Sequence, residues 1–468
     1  MRKIVKRYHP PGTPPGTLVP TAAGTAALTS LLSSGATDTD TAFAGLFALW
    51  GTAYTRGEVV YFLNDAKPGL FVCAPERLEE AQELAWACRL PRVHDLGARG
   101  EGSLAAAAAQ MPARFATVER ADGDLASIVY TSGTTGRSKG AMLTHRNLAA
   151  NALVLHKYWG FRPGDVLLHM LPPFHVHGLF VATHCALLNG SPMLFEPKFD
   201  AARALRLMQA ATVFMGVPTY YTRLLQERGL TREAVAHMRL FISGSAPLLP
   251  ETFAEFRERT GQSILERYGM TEGGMFTSNP LEGERRGGTV GFPLPGTEVR
   301  VVDDSDRPLP AGEIGHIQVR GENVFAGYWR MPEKTREEFT PEGYFRTGDL
   351  GRFDADGYLA IIGRDKDLII TGGLNVYPKE IEEAIDALPG VAESAVIGLA
   401  HSDFGEAVTA VVVRGKASAT TSGEAIIAEL KGRLAGFKVP KAVLFVEELP
   451  RNAMGKVQKN LLRQRFSA

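Results

Sequence analysis

The chain has 468 residues, 45% hydrophobic and 22% charged, which is enough for two or three folding units and excludes disorder, collagen and a disulfide scaffold. Its 51 Lys and Arg balance 51 Asp and Glu, so no net charge draws it toward nucleic acid or an anionic membrane surface. No apolar run reaches the roughly 18 residues of a membrane span, and the cysteines Cys73, Cys88 and Cys185 show neither metal nor redox spacing.

Taken in chain order, residues 1–50 stand apart. The first 37 contain no Asp or Glu, begin with Arg2, Lys3, Lys6 and Arg7, and pass through a Pro-Gly run into a Thr/Ala/Ser-rich stretch. Such composition imitates an organelle-targeting leader, but the prolines interrupt any amphipathic helix. A disordered or atypical N-terminus on a cytoplasmic protein is therefore the favoured reading, with organellar targeting the minority alternative.

From residue 51 the pattern is α/β. Apolar runs at 70–73, 126–130, 166–170 and 211–216 predict buried strands, and 77–88, 145–156 and 201–210 predict the helices between them. Alternation of this kind implies a mostly parallel sheet covered by helices. After about Pro293, strands at 299–302, 314–319 and 358–362 follow one another through turns, which predicts a small antiparallel module. The last hundred residues predict a separate α+β lobe: a helix at 377–388, strands at 391–398 and 407–413, a helix at 423–434 and a strand at 442–446. The expected division is a body over 51–365 and a lobe over 366–468, with the boundary in the polar turn Gly363-Arg364-Asp365-Lys366-Asp367.

The sharpest chemical signal follows the strand at 126–130. Thr131, Ser132, Gly133, Thr134, Thr135, Gly136 and Lys139 form a loop in which glycines free the backbone to wrap an anion, hydroxyls donate and the lysine adds charge. The order does not fit the Walker pattern, and no Ser or Thr follows the lysine to hold magnesium.

The loop resembles the signature of the adenylate-forming enzymes, the acyl-CoA synthetases with their luciferase and peptide-synthetase relatives. Six further segments match in the same order: Leu171 to Gly178, Ser243 to Leu248, Glu266 to Glu272, Tyr344 to Asp349, Gly363 to Asp367 and Pro450 to Lys456. Within the family the likeness is greatest to the malonyl-CoA synthetases. Relatives carry a longer stretch before the segment matching Thr52 to Thr55, so part of the usual N-terminal subdomain is expected to be missing.

The resemblance implies ATP, magnesium and CoA, and a carboxylate joined to AMP before the CoA thiol displaces it. Tyr268 would lie on the adenine, with Ser245, Ala246, Pro247, Glu266, Gly269 and Met270 lining the nucleotide pocket. Asp349 and Arg364 would hold the ribose hydroxyls. Thr271 would donate to the α-phosphate, Glu272 would coordinate magnesium, and Lys456 would bridge α-phosphate and attacking carboxylate. Lys366 matches a hinge about which the lobe turns, bringing Gly372 and Gly373 to the CoA tunnel in place of Lys456. Lys438 and Lys441 are candidates for CoA phosphates or for an ordinary solvated face.

A malonate-like substrate keeps a second carboxylate that needs a buried cation. The resemblance gives that role to Arg223, about one helical turn after Thr219, and to Arg267, with His177 beside the acyl group and His175 packing or gating. His175 and His177 share a face if their segment is a strand. Three readings follow: a dicarboxylate:CoA ligase, a ligase for short monocarboxylates with Arg223 in solvent, and an inactive nucleotide-binding remnant. Small molecules are the expected partners, with no nucleic acid or membrane and no reading of oligomeric state.

Overall fold

Two four-residue runs in which every side chain is buried, Val213–Gly216 and Leu240–Ser243, lie side by side at the centre of the largest sheet. Such runs have no solvent face, as expected of parallel strands covered on both sides. The structure, a computed structural model, describes residues 17–18, 55–112, 114, 118–131, 138–372, 374–401, 404–415, 422–452 and 456–467. Apart from the backbone of Thr17 and Leu18, the atypical N-terminus of the sequence reading lies outside them, as do Ser132, Gly133, Thr134, Thr135, Gly136 and Gly373.

The molecule is a mixed α/β protein with a large N-terminal body and a smaller C-terminal domain. Eight strands make the main sheet, in the order Thr17–Leu18, Met193–Phe195, Leu167–His169, Val213–Gly216, Leu240–Ser243, Leu265–Met270, Gly274–Ser278, Phe292–Pro293. The five from Met193–Phe195 to Leu265–Met270 are parallel, and the pairs at both edges are antiparallel. Helices His145–Tyr158, Ala201–Met208, Pro218–Leu225 and Pro250–Thr260 connect the elements. The first is started by a capping box in which Thr144 and Asn147 exchange side-chain and backbone hydrogen bonds. Among the described residues no helix is long and apolar enough to cross a membrane.

The strand expected at 126–130 runs from Leu125 to Thr131, but it is not part of the parallel sheet. It forms an antiparallel hairpin with Lys139–Thr144, and Gly327–Tyr328 adds to the far edge. The small antiparallel module is a four-stranded sheet, Thr297–Val302, Gly315–Gly321, Phe345–Phe353 and Leu359–Arg364. Phe345–Phe353, the long central strand, was not anticipated, because its Arg-Thr-Gly-Asp run breaks the apolar alternation.

A short 3-10 turn, Asp365–Asp367, then leads into a five-stranded sheet of Leu374–Val376, Ile369–Thr371, Gly405–Arg414, Val391–His401 and Ala442–Val446. Helices Pro378–Asp386 and Gly423–Lys431 pack on it through Ile381, Ile385, Ile426 and Leu430, a core separate from that of the body.

Candidate active site

Three of the matching segments, and the segment that carries Arg223, leave the carboxyl ends of the parallel strands, where open α/β sheets bind their ligands. Leu171 to Gly178 follows Leu167–His169, Pro218 to Arg223 follows Val213–Gly216, Gly244 to Pro247 follows Leu240–Ser243, and Thr271-Glu272 follows Leu265–Met270. Topology alone therefore gathers residues spread over a hundred positions.

Asp349 and Arg364 face each other across two strands of the four-stranded sheet. Arg364 Nε lies 2.9 Å from Asp349 Oδ1, and Tyr268 Oη donates to Asp349 Oδ2 at 2.6 Å. Both carboxylate oxygens are engaged, and the Asp349 charge raises the Arg364 pKa. Gly269, next to Tyr268, sits at a register shift against Gly274–Ser278, where a Cβ would fall 1.9 Å from the Gly274 carbonyl oxygen. Only glycine permits that approach.

Glu272 is 5% exposed and accepts a hydrogen bond at Oε1 from Tyr328 Oη at 3.0 Å. Burial raises its pKa, opposed by that bond and by the charges of Lys139 and Arg364. Lys139 lies 4.3 Å over the Tyr328 ring and 3.7 Å from Glu338. Thr131 Oγ1 donates to the Lys139 carbonyl at 3.4 Å, and Tyr61 Oη donates to that of Ser138 at 2.8 Å, so both flanks of the loop are braced. Met270 and Thr271 are half-buried beside Glu272.

Glu266 is buried and accepts the Gly288 N–H at 3.2 Å; burial pushes its carboxyl up to about 8. Ser245 and Ala246 are half-buried and Pro247 is exposed in the turn after Leu240–Ser243. Ser245 holds a positive φ of 72° and its hydroxyl lies 3.3 Å from His177 Nδ1.

Beside that pair lies Arg267. It is 3% exposed, and its Nε and Nη2 have no hydrogen-bond partner. Burial pushes this guanidinium down to about 9. It rests on Gly244, where a Cβ would come within 2.3 Å of Nη1. His177 is buried with Nε2 unpartnered; burial, then the Arg267 charge, holds it well below the usual histidine range. His175 is pushed down to about 3 by burial and then by Lys456 and Arg267. Both imidazoles are therefore neutral.

The expected extended segment is absent: His177 opens a π-helix, His177–Ala182, so the two histidines do not share a strand face. Instead His175 Nδ1 accepts the His177 N–H at 3.1 Å. Gly178 lies where a Cβ would meet the Pro172 carbonyl oxygen at 2.4 Å, and that close packing folds the chain back on itself. Widened helical turns of this kind recur at functional sites.

Half-buried Lys456 reaches the same place from the C-terminal domain. Burial, followed by the Arg364 charge, pushes its ammonium down to about 8, against the pull of Asp349 and Glu272. Arg223 is on helix Pro218–Leu225, started by Pro218 as anticipated, but it is exposed. Its charge bears on Tyr220, whose hydroxyl donates to the Met170 carbonyl at 3.1 Å. Lys366 is exposed in its 3-10 turn, and Gly372 has a φ of 57° in the turn after Thr371. Lys438 is bound at 2.7 Å to both oxygens of Glu380, and Lys441 lies 5.2 Å over the Phe404 ring. Tyr328 was not read from the sequence; its signal was the short Phe-Ala-Gly-Tyr run, in which Gly327 turns at a φ of 129°.

Known proteins are similar to this chain in sequence and fold. A malonate–CoA ligase of Arabidopsis thaliana is 41% identical over 371 residues, 73% of this chain and 60% of that protein. The mitochondrial malonate–CoA ligase ACSF3 of Mus musculus is 38% identical over 451 residues, 88% of this chain and 76% of that protein. The crystal structure of ATP-bound MatB from Rhodopseudomonas palustris is 57% identical, covers 89% of this chain and 83% of its own, and superposes with a TM-score of 0.87. The chain spans about three fifths of the length of the plant relatives it matches. The family model of AMP-binding enzymes matches residues 43–329 and that of their C-terminal domain matches 380–456, and the chain belongs to this family.

Proposed function

We propose that the chain is an acid:CoA ligase that activates malonate. A carboxylate oxygen attacks the α-phosphorus of ATP and pyrophosphate leaves; the CoA sulfur then attacks the acyl carbon and AMP leaves. The observation that carries the substrate is Arg267. A buried guanidinium with two unpartnered nitrogens is costly, and a second carboxylate on the bound acid supplies the missing partner in bidentate form. Neutral His177 and Ser245 flank that position and leave the positive charge unopposed.

Lys456 stands opposite, where its ammonium offsets the charge that builds when two anions meet. Tyr268, Asp349 and Arg364 would hold adenine and ribose, and Thr271 and Lys139 the phosphates. Among the described residues no group of three His, Cys, Asp or Glu side chains could cage a metal ion, whereas a lone buried Glu272 suits magnesium that takes its other ligands from phosphate and water. When bound, the ion neutralises phosphate charge. Rotation of a mobile domain 366–468 about Lys366 would then exchange Lys456 for the Gly372 turn and admit CoA.

Pyrophosphate release with ATP and magnesium, comparing malonate with acetate and with and without CoA, tests this reading. Malonate-selective release that turns over only with CoA is expected. Exposed Arg223 favours a second reading, a short monocarboxylate ligase: acetate turnover equal to that of malonate, unchanged by Arg223→Ala, would replace the first.

A further inference from the structure

Helix Pro378–Asp386 of the C-terminal domain begins with a proline, and Lys379 is the next residue. Its side chain turns to the body. Nζ donates to the carbonyl oxygen of Ile361 at 2.6 Å, inside strand Leu359–Arg364, the strand that ends in the arginine holding Asp349. Glu383, one turn along the helix, lies 3.8 Å from the same nitrogen, and the Lys379 side chain is 22% exposed. Its charge also bears on buried Glu266 of the body.

At the other end of the helix Asp386 is half-buried, and burial, followed by Glu382 and Glu393 of its own domain and Glu251 of the body, raises its pKa. The direct hydrogen bond from this helix to the body is at the Lys379 end.

Ile361 precedes Lys366 and Lys379 follows it, so the hydrogen bond between them spans the proposed hinge and belongs to this arrangement of the domain. We infer that Lys379 is a latch: a positioning residue that holds the domain where Lys456 reaches the reacting centre, and lets go before CoA is used. This rests on the ligase reading and its hinge. Losing one charge-assisted hydrogen bond made only in the closed arrangement shifts that arrangement's population by about tenfold.

The test separates the two half reactions. Lys379→Met keeps the aliphatic stem and removes the donor; malonate-dependent ATP–pyrophosphate exchange is expected to fall about tenfold. Thioester formation from preformed malonyl-adenylate and CoA should stay the same or quicken. Lys379→Arg keeps a donor for the carbonyl and should exchange at close to the original rate. A merely structural lysine would slow both halves alike, and that result, or unchanged exchange in Lys379→Met, would overturn the latch. If Lys379→Met does not fold, Lys379→Arg decides: a folded arginine variant without exchange also overturns it. An original enzyme with no exchange on malonate would instead overturn the ligase reading, and the latch with it.

Discussion

The side of the site proposed for the ribose and the side proposed for the acyl group meet at consecutive residues of one strand, Tyr268 and Arg267, and yet are opposites. On the ribose side Asp349 takes Tyr268 on one oxygen and Arg364 on the other, at 2.6 and 2.9 Å. On the acyl side Arg267 leaves Nε and Nη2, and His177 leaves Nε2, buried with no partner. A diol is neutral, so its binding site can be complete beforehand and exchange one hydrogen bond for another. An anion must be met by charge, and a cation kept dry for it is unstable until it arrives. The unpartnered group, more than the paired one, says what the substrate carries.

Arg267→Met should show the largest effect. Malonate kcat/KM is expected to fall by roughly two to three orders of magnitude, the result of leaving a buried carboxylate without its cation, while acetate changes only a few-fold. The free protein should become more stable, by about 1–4 kcal/mol, because an apolar side chain replaces an unpaired buried charge. Thermal unfolding without ligand reads the second effect. A variant that loses both acids equally, or melts lower, would put Arg267 in the same class as the ribose pair.

Lys456→Ala comes next. Adenylation should drop by about 10²–10³, as for loss of one preorganised electrostatic donor, and thioester formation from preformed adenylate should survive. The pH profile sharpens the point. Burial holds the Lys456 ammonium down to about 8, below the usual 10.5, so the charge is present below that pH and lost above it. Adenylation kcat/KM, which reports the free enzyme, should therefore decline as pH rises through about 8. A profile flat to pH 10 would mean that burial does not hold the Lys456 ammonium down in the working enzyme.

What the sequence made legible follows the same division. Asp349 and Arg364 lie at the ends of two ordered motifs, and the structure pairs them across neighbouring strands. Partners that act through a second residue were not legible. Tyr328 reaches Glu272 across 56 positions, and Lys379 finds a backbone carbonyl, which has no side-chain signature. His175 and His177 would share a face only on a strand, and the π-helix that His177 opens has no period of its own in sequence. The resemblance gives Arg223 the distal carboxylate, and the structure has it exposed on its helix, because a residue's place in a helix does not fix its exposure.

Tyr268→Phe should have the smallest effect and tests whether the two sides are independent. It removes the hydroxyl that Asp349 accepts and keeps the ring for the adenine. Asp349 retains Arg364, so the loss is that of one hydrogen bond in a surviving network, about 1–1.5 kcal/mol. The KM for ATP should rise roughly five- to tenfold with kcat little changed. Malonate and acetate should be affected alike, because no acyl contact passes through Tyr268. The decisive quantity is thus the ratio of the two acids: Arg267→Met should collapse it and Tyr268→Phe should leave it alone. If removing the tyrosine hydroxyl shifts that ratio, Asp349 and Arg267 belong to one coupled network, and the incomplete side cannot be read as a separate imprint of the substrate.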